Sequence, residues 1–144
     1  MSELFYSDNY LAHILDTSKT IAVIGASPNS SRPSHLTMKY LQSKGYRVIP
    51  VNPVAAGAVL LDEIVYAGLG DIPEKIDMVD IFRNSSAAGA ITDKVISLAE
   101  EKSIQTIWMQ LGVRNDAAAR RAEAAGLDVV MDRCPKIEFR RLYR

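Results

Sequence analysis

The chain has almost none of the residues that build covalent or metal-held frameworks. Its 144 residues include one cysteine, Cys134, and two histidines, His13 and His35. One cysteine makes no intramolecular disulfide, and two distant histidines give no zinc-type ligand spacing, so no metal is expected. An excess of either charge is also missing: 17 Lys and Arg are balanced by 17 Asp and Glu, for a formal net charge of +0. That balance offers no general electrostatic case for nucleic acid or an anionic membrane as partner. No apolar run approaches the roughly 18 residues of a membrane span. Acidic residues interrupt the first 19 positions, which lack the apolar stretch of a signal peptide. These absences lead to the expectation of one cytoplasmic domain over residues 1–144, kept in a reduced compartment.

Alternation of strand-like and helix-like segments fills the chain. Residues 8–19 place Tyr10, Leu11, Ile14 and Leu15 on one helical stripe, with Asp8 or Asn9 as N-cap, forming a lid over a sheet edge or face. Residues 20–25 are a short β-branched run ending at Gly25, the pattern of a strand buried on both faces. Turn chemistry follows from Ala26 to Ser34. A helix then begins near Pro33 or Ser34 and is closed by Gly45. Further strands are expected at 46–51, 76–82, 104–109 and 127–131, and helices at 85–102 and 115–125, the latter capped by Asn115 and Gly126. Residues 54–75 carry a weak pattern, read as loop and short helix. The tail, 132–144, is basic, with Ile137, Phe139 and Leu142 at helical spacing. This alternation predicts an α/β fold: a doubly wound, Rossmann-like, five-stranded parallel sheet with helices on both faces and strand order 3-2-1-4-5.

In such a sheet, ligands lie outside the carboxyl ends of the strands, near the switch in strand order. The candidate positions are therefore Gly25, Ala26 and Ser27 after the first strand, and Asn52 and Pro53 after the second. Phe82 and Arg83 follow the third strand, and Gln110, Leu111 and Gly112 the fourth, with Cys134 beyond the fifth. Gly25 permits a tight turn. The next helix start offers free N–H groups to an anion, and Arg32 can add a charged bond to a phosphate oxygen. The dinucleotide fingerprint is absent, since the glycine positions after Gly25 hold Ser27 and Ser30. The second strand ends at Val51-Asn52-Pro53 rather than at an acidic residue for the ribose, and no Gly-Lys-Ser or Gly-Lys-Thr occurs. His35 reads as a surface or capping residue beside the phosphate site, and Trp108 as core. Arg133 and Lys136 give Cys134 a cationic setting, and Arg140, Arg141 and Arg144 read as a solvated face. No catalytic set can be defended from spacing.

Taken in order, Gly25-Ala26-Ser27-Pro28, Arg32-Pro33-Ser34, Pro50-Val51-Asn52-Pro53, Asp80-Ile81-Phe82-Arg83, Gln110-Leu111-Gly112 and Asp132-Arg133-Cys134 resemble the small single-domain CoA-binding proteins. These are stand-alone relatives of the CoA-binding domain of succinyl-CoA synthetase α subunits. The resemblance runs from about Asp8 onward and implies a Rossmann-like sheet that holds coenzyme A or an acyl-CoA. The expectation of binding without catalysis comes from the residues themselves, which offer a phosphate-type loop and apolar strand ends but no acid/base set. The resemblance implies the pyrophosphate on the Gly25–Ser27 loop and at Ser34, and the adenosine part against Val51, Asn52 and Pro53. The pantetheine arm would lie along Phe82, Arg83 and the Gln110 to Gly112 turn. Residues 57–67 depart from the family pattern. The synthetase subunit's second domain, with its phosphorylated histidine, has no counterpart in these residues, so ligase or transferase activity is not implied. Two other readings stand beside simple binding. One is an enzyme or redox-linked carrier acting on the CoA thiol or acyl group through Cys134, with His35 as a further candidate. The other is a nucleotide-responsive regulatory module. An exposed apolar face on the tail or the Trp108 strand would support a homodimer.

Overall fold

Short apolar, β-branched runs set the frame. The structure, a computed structural model, describes residues 3–143, so positions 1, 2 and 144 of the expected domain, and with them Arg144, lie outside the described residues. Five parallel strands form the main sheet: β1 (Thr20–Ile24), β2 (Arg47–Val51), β5 (Met78–Ile81), β6 (Thr106–Met109) and β7 (Asp128–Val130). Between β2 and β5 run a two-stranded hairpin, β3 (Val59–Leu60) and β4 (Glu63–Ile64), and a 3-10 turn, Leu69–Asp71. Helices α1 (Asp8–Thr17), α2 (Pro33–Ser43) and α5 (Pro135–Leu142) cover one face, and α3 (Ser85–Lys102) and α4 (Asp116–Ala124) the other. Each face has its own core. Ile21, Val23, Val48 and Trp108 meet the first helix layer, while Ala22, Ile49, Val79 and Ile107 meet the second. Alternate residues along one strand thus serve opposite cores, which is why these strands read as continuous apolar runs.

The strand order differs from the expected 3-2-1-4-5. It is β2-β1-β5-β6-β7, with the third long strand beside the first rather than beyond the second. The outer edge of β2 is already occupied. Tyr66 donates its N–H to the Pro50 carbonyl at 3.0 Å, and its carbonyl accepts from Asn52 N–H at 2.9 Å. Pro50, which has no N–H, sits on that edge without leaving a donor unpaired. The weakly patterned residues 54–75 therefore contain a hairpin and an edge bridge, and the chain returns across the sheet to the free side of β1. The switch point moves with it, to the space between β1 and β5.

The opposite edge is closed by side chains. The Tyr10 hydroxyl accepts from Val129 N–H at 2.9 Å and donates to the Val129 carbonyl at 3.0 Å. The Tyr6 hydroxyl accepts from Met131 N–H at 2.9 Å. Burial pushes the Tyr10 phenol up to about 12, so it keeps the proton that this double bond needs. Saturating the exposed groups of β7 in this way blunts a strand edge that would otherwise invite pairing with another chain. The α1 N-cap is Ser7, whose hydroxyl accepts from Tyr10 N–H at 3.1 Å; the expected Asp8 or Asn9 lies one or two positions too late. Trp108 is fully buried in β6, between β5 and β7, and donates Nε1–H to the Arg133 carbonyl at 2.9 Å. Its strand has no exposed face for a homodimer, contrary to that expectation; on the tail, Ile137 and Tyr143 remain exposed. Among the described residues no helix is long and apolar enough to cross a membrane.

One residue breaks the apolar rule. Asp80 stands mid-strand in β5, opposite Val23 and Trp108, fully buried, with neither carboxylate oxygen hydrogen-bonded among the described residues. Burial raises its pKa well above the ordinary carboxyl range, so the folded protein holds a proton that the unfolded chain releases. The contribution is fullest below the unfolded pKa of about 4 and is lost as pH rises toward the native value, by at most about 1.4 kcal/mol per pH unit. Asp80→Asn should remove this slope. In urea unfolding, the variant's stability relative to wild type should rise between pH 5 and pH 8, and parallel pH curves would show that Asp80 is not the source.

Candidate functional site

The strand ends meet at Gly25. Its φ is +90°, and a Cβ there would lie 2.4 Å from the Phe82 carbonyl oxygen and 3.1 Å from Arg83 Cδ. Only glycine allows both the turn and this approach of the loops after β1 and β5. The loop is then knitted to its neighbours. Gly25 and Ala26 N–H groups both donate to the Val51 carbonyl, at 3.0 and 3.3 Å. Asn52 Nδ2 donates to the Ala26 carbonyl at 2.8 Å, and Asn52 Oδ1 accepts from Val54 N–H at 2.9 Å. Farther along, Ser27 N–H donates to Ser34 Oγ at 3.1 Å, Ser27 Oγ accepts from Asn29 N–H at 3.1 Å, and Asn29 Oδ1 accepts from Ser31 N–H at 3.0 Å. Buried His35 places Nδ1 3.4 Å from the Ser27 carbonyl. It braces the loop from beneath, so the surface placement expected for it does not hold.

These bonds engage most of the loop's donors but leave the start of α2 open. Pro33 has no N–H, and the N-cap, Arg32, makes no side-chain capping bond. Leu36 N–H returns to the Arg32 carbonyl at 3.1 Å. Among the described residues neither Ser34 N–H nor His35 N–H meets an acceptor. Two uncapped N–H groups thus stand at the positive end of an eleven-residue helix, the arrangement that suits an anion.

Three neighbouring clefts share lining residues at this point. A small one, 280 Å³, is lined by Gly25, Ser27, Arg32, Ser34 and Phe82. A second, 560 Å³, extends toward β2 along Val51, Asn52, Pro53, Leu69 and Lys94. The third, 630 Å³, extends toward α5 along Gln110, Gly112, Cys134, Lys136 and Arg140. Phe82 borders all three, and Arg83 borders the two larger ones. Every residue expected at the site lines this groove except Ala26, which is fully buried behind it.

The charge distribution could not be read from sequence. Arg32, Arg83, Lys94, Lys136 and Arg140 line the clefts, and no Asp or Glu does. None of the five has a salt-bridge partner among the described residues. Lys94 and Arg140 were missed. Their only sequence signal was a basic side chain one or two turns into a helix that follows a strand end. Arg140 had been expected on a solvated face with Arg141. The structure separates the two, pairing Arg141 with Asp8 at 2.8 Å and Glu138 at 3.1 Å. Among the described residues no three His, Cys, Asp or Glu side chains converge as a metal site would require.

The sequence profile of the CoA binding domain family matches residues 19–140. The chain belongs to this family. The uncharacterized Bacillus subtilis (strain 168) protein YneT is 33% identical to it over 127 residues, 88% of this chain and 90% of YneT. A Thermus thermophilus structure shares 38% identity with a TM-score of 0.88, covering 96% of this chain and all of the other. A hypothetical protein from Pyrococcus horikoshii OT3 shares 34% identity with a TM-score of 0.88, covering both chains fully. Membership in the CoA-binding domain family agrees with the all-cationic groove, which sequence composition alone had not revealed.

Gly25→Ala tests the geometry of this family member. The substitution places a methyl group against a backbone carbonyl at positive φ, which should cost about 2 kcal/mol or more in urea denaturation. A loss within error would mean that the loops after β1 and β5 separate easily.

Proposed function

We propose that this protein binds coenzyme A, free or acylated, along the three neighbouring clefts, as a carrier or sequestering module rather than as a catalyst. The observation that carries the reading is a groove whose every charged lining residue is cationic, in a chain of formal net charge +0. Coenzyme A is a polyanion with a flat base at one end and a long, weakly polar arm at the other. The small central cleft, with Ser27, Arg32 and the free N–H groups of Ser34 and His35, suits the pyrophosphate. The cleft beside Val51, Asn52 and Pro53 suits the adenosine part, with Lys94 near enough to its rim to meet a further phosphate. The arm then follows Phe82, Arg83, Gln110 and Gly112 toward α5. Family membership supports the ligand, and the residue assignments rest on the chemistry of the lining. A cytoplasmic setting, where a lone thiol stays reduced, suits the same reading.

Melting curves with CoA, acetyl-CoA, NAD and ATP, followed by calorimetry, test the ligand. A ligand at a hundred times its Kd adds about 2.7 kcal/mol, so CoA and acetyl-CoA should raise the melting temperature clearly. No shift with either, or a larger shift with NAD, would overturn the reading. Arg32→Ala and Arg83→Ala should each weaken CoA binding by about 1.5–3 kcal/mol, roughly ten- to hundredfold in Kd. Unchanged affinity in both would show that neither guanidinium bonds the ligand.

A further inference from the structure

Resting on the CoA-binding reading, we infer that Cys134 exchanges with the disulfide of coenzyme A, so that the protein takes up the cofactor covalently as a mixed disulfide. Cys134 is the chain's only cysteine, a free thiol that is 6% exposed in the wall of the 630 Å³ cleft. Its Sγ lies 3.7 Å from Thr37 Oγ1, which lines the same cleft. A lone thiol would not by itself mark a site. The second observation is Gln110, a residue of the same wall that is 7% exposed. Its Oε1 is buried and has no hydrogen-bond partner among the described residues.

A buried carboxamide oxygen left unpaired costs free energy until a donor reaches it. The pantetheine arm carries secondary amide N–H groups, one of them two methylene carbons from the sulfur. Gln110, Thr37 and Cys134 line the same cleft, so an arm that satisfies Gln110 Oε1 with that N–H carries its sulfur along the wall that holds Cys134. Lys136 and Arg140, on the helix that begins just after Cys134, line this end and attract the remaining anionic charge.

The exchange needs no oxidant beyond the disulfide itself. The Cys134 thiolate attacks one sulfur of the CoA disulfide, and a new S–S bond forms as the old one breaks. The electron pair leaves with the second CoA sulfur, which takes up the proton given up by Cys134. One CoA stays attached through Sγ and one is released as thiol. A reducing thiol reverses the step.

The full-length protein, freed of reductant, would be mixed with CoA disulfide, and its intact mass and released thiol followed in time. The expected result is one CoA per chain and one equivalent of free CoA thiol. With a single cysteine, the mass itself assigns the site. Glutathione disulfide at equal concentration should react at least roughly tenfold more slowly, because only the CoA compound is positioned by the groove. Cys134→Ser should form no adduct under the same conditions. Absence of adduct in wild type that still binds CoA would overturn the exchange and leave the binding reading intact. Equal rates with both disulfides would also overturn it, by showing an accessible thiol rather than a guided one. Absence of CoA heat would overturn the binding reading itself.

Discussion

Everything at the carboxyl edge depends on one close approach, that of Gly25 to the Phe82 carbonyl. A methyl group at residue 25 would sit 2.4 Å from that oxygen, so a residue with no side chain and a φ of +90° is required. Because the loops after β1 and β5 lie this close, Phe82 borders three clefts at once, and Gly25, Pro33 and Arg83 are each shared by two of them. The β2-β1-β5 strand order puts the contact at the sheet's switch point, where crossovers to opposite faces leave the strand ends uncovered. Topology opens the crevice there, and Gly25 permits the close approach.

Charge is sorted on the same plan. Four arginines away from the groove are each paired: Arg47 with Glu63 and Glu74, Arg114 with Asp116, Arg121 with Asp93, and Arg141 with Asp8 and Glu138. Most of these pairs face solvent, where an ion pair contributes little to stability. Their electrostatic effect is to cancel the field locally, whereas the five cations of the groove have neither an ion-pair partner among the described residues nor an acidic neighbour in the lining. A balanced chain thereby presents a positive face to a polyanion without the self-repulsion of a basic protein.

The sequence carried the elements well and their arrangement less well. Gly25, Pro33, Gly45 and Asn115 each mark a boundary through a local backbone requirement, and local requirements are readable one segment at a time. Helix α3, Ser85–Lys102, matches its expected range for the same reason. Strand order is nonlocal. It turned on Tyr66 pairing with the edge of β2, within a stretch that has no strong periodicity. The site divided in the same way. Residues directly after strands were found by the switch-point rule, whereas Lys94 and Arg140 reach the groove from inside helices and carry no mark in the sequence. Asn52 was recognised, but its carboxamide proves to be engaged inside the fold, tying the loop after β2 to Ala26.

The N-terminal helix shows how far a site's support extends beyond its lining. The family match begins at residue 19, after α1 has ended. Yet α1 and the segment before it fix the outer wall of the groove. Tyr6 and Tyr10 close β7, the strand that leads into Cys134 and α5. Asp8 pairs with Arg141, and Asp16 accepts from the Tyr143 hydroxyl, so α1 holds the last turn of α5 by two polar contacts. Phe139 of α5 packs edge-on against Tyr40 and Tyr46, which brings α2 and the β2 side into the same cluster. A short helix of eight residues has little stability of its own, so its position must come from such contacts. Cys134, Lys136 and Arg140 therefore stand where α1 and α2 put them, and the cleft toward α5 keeps its shape through residues that never touch its interior.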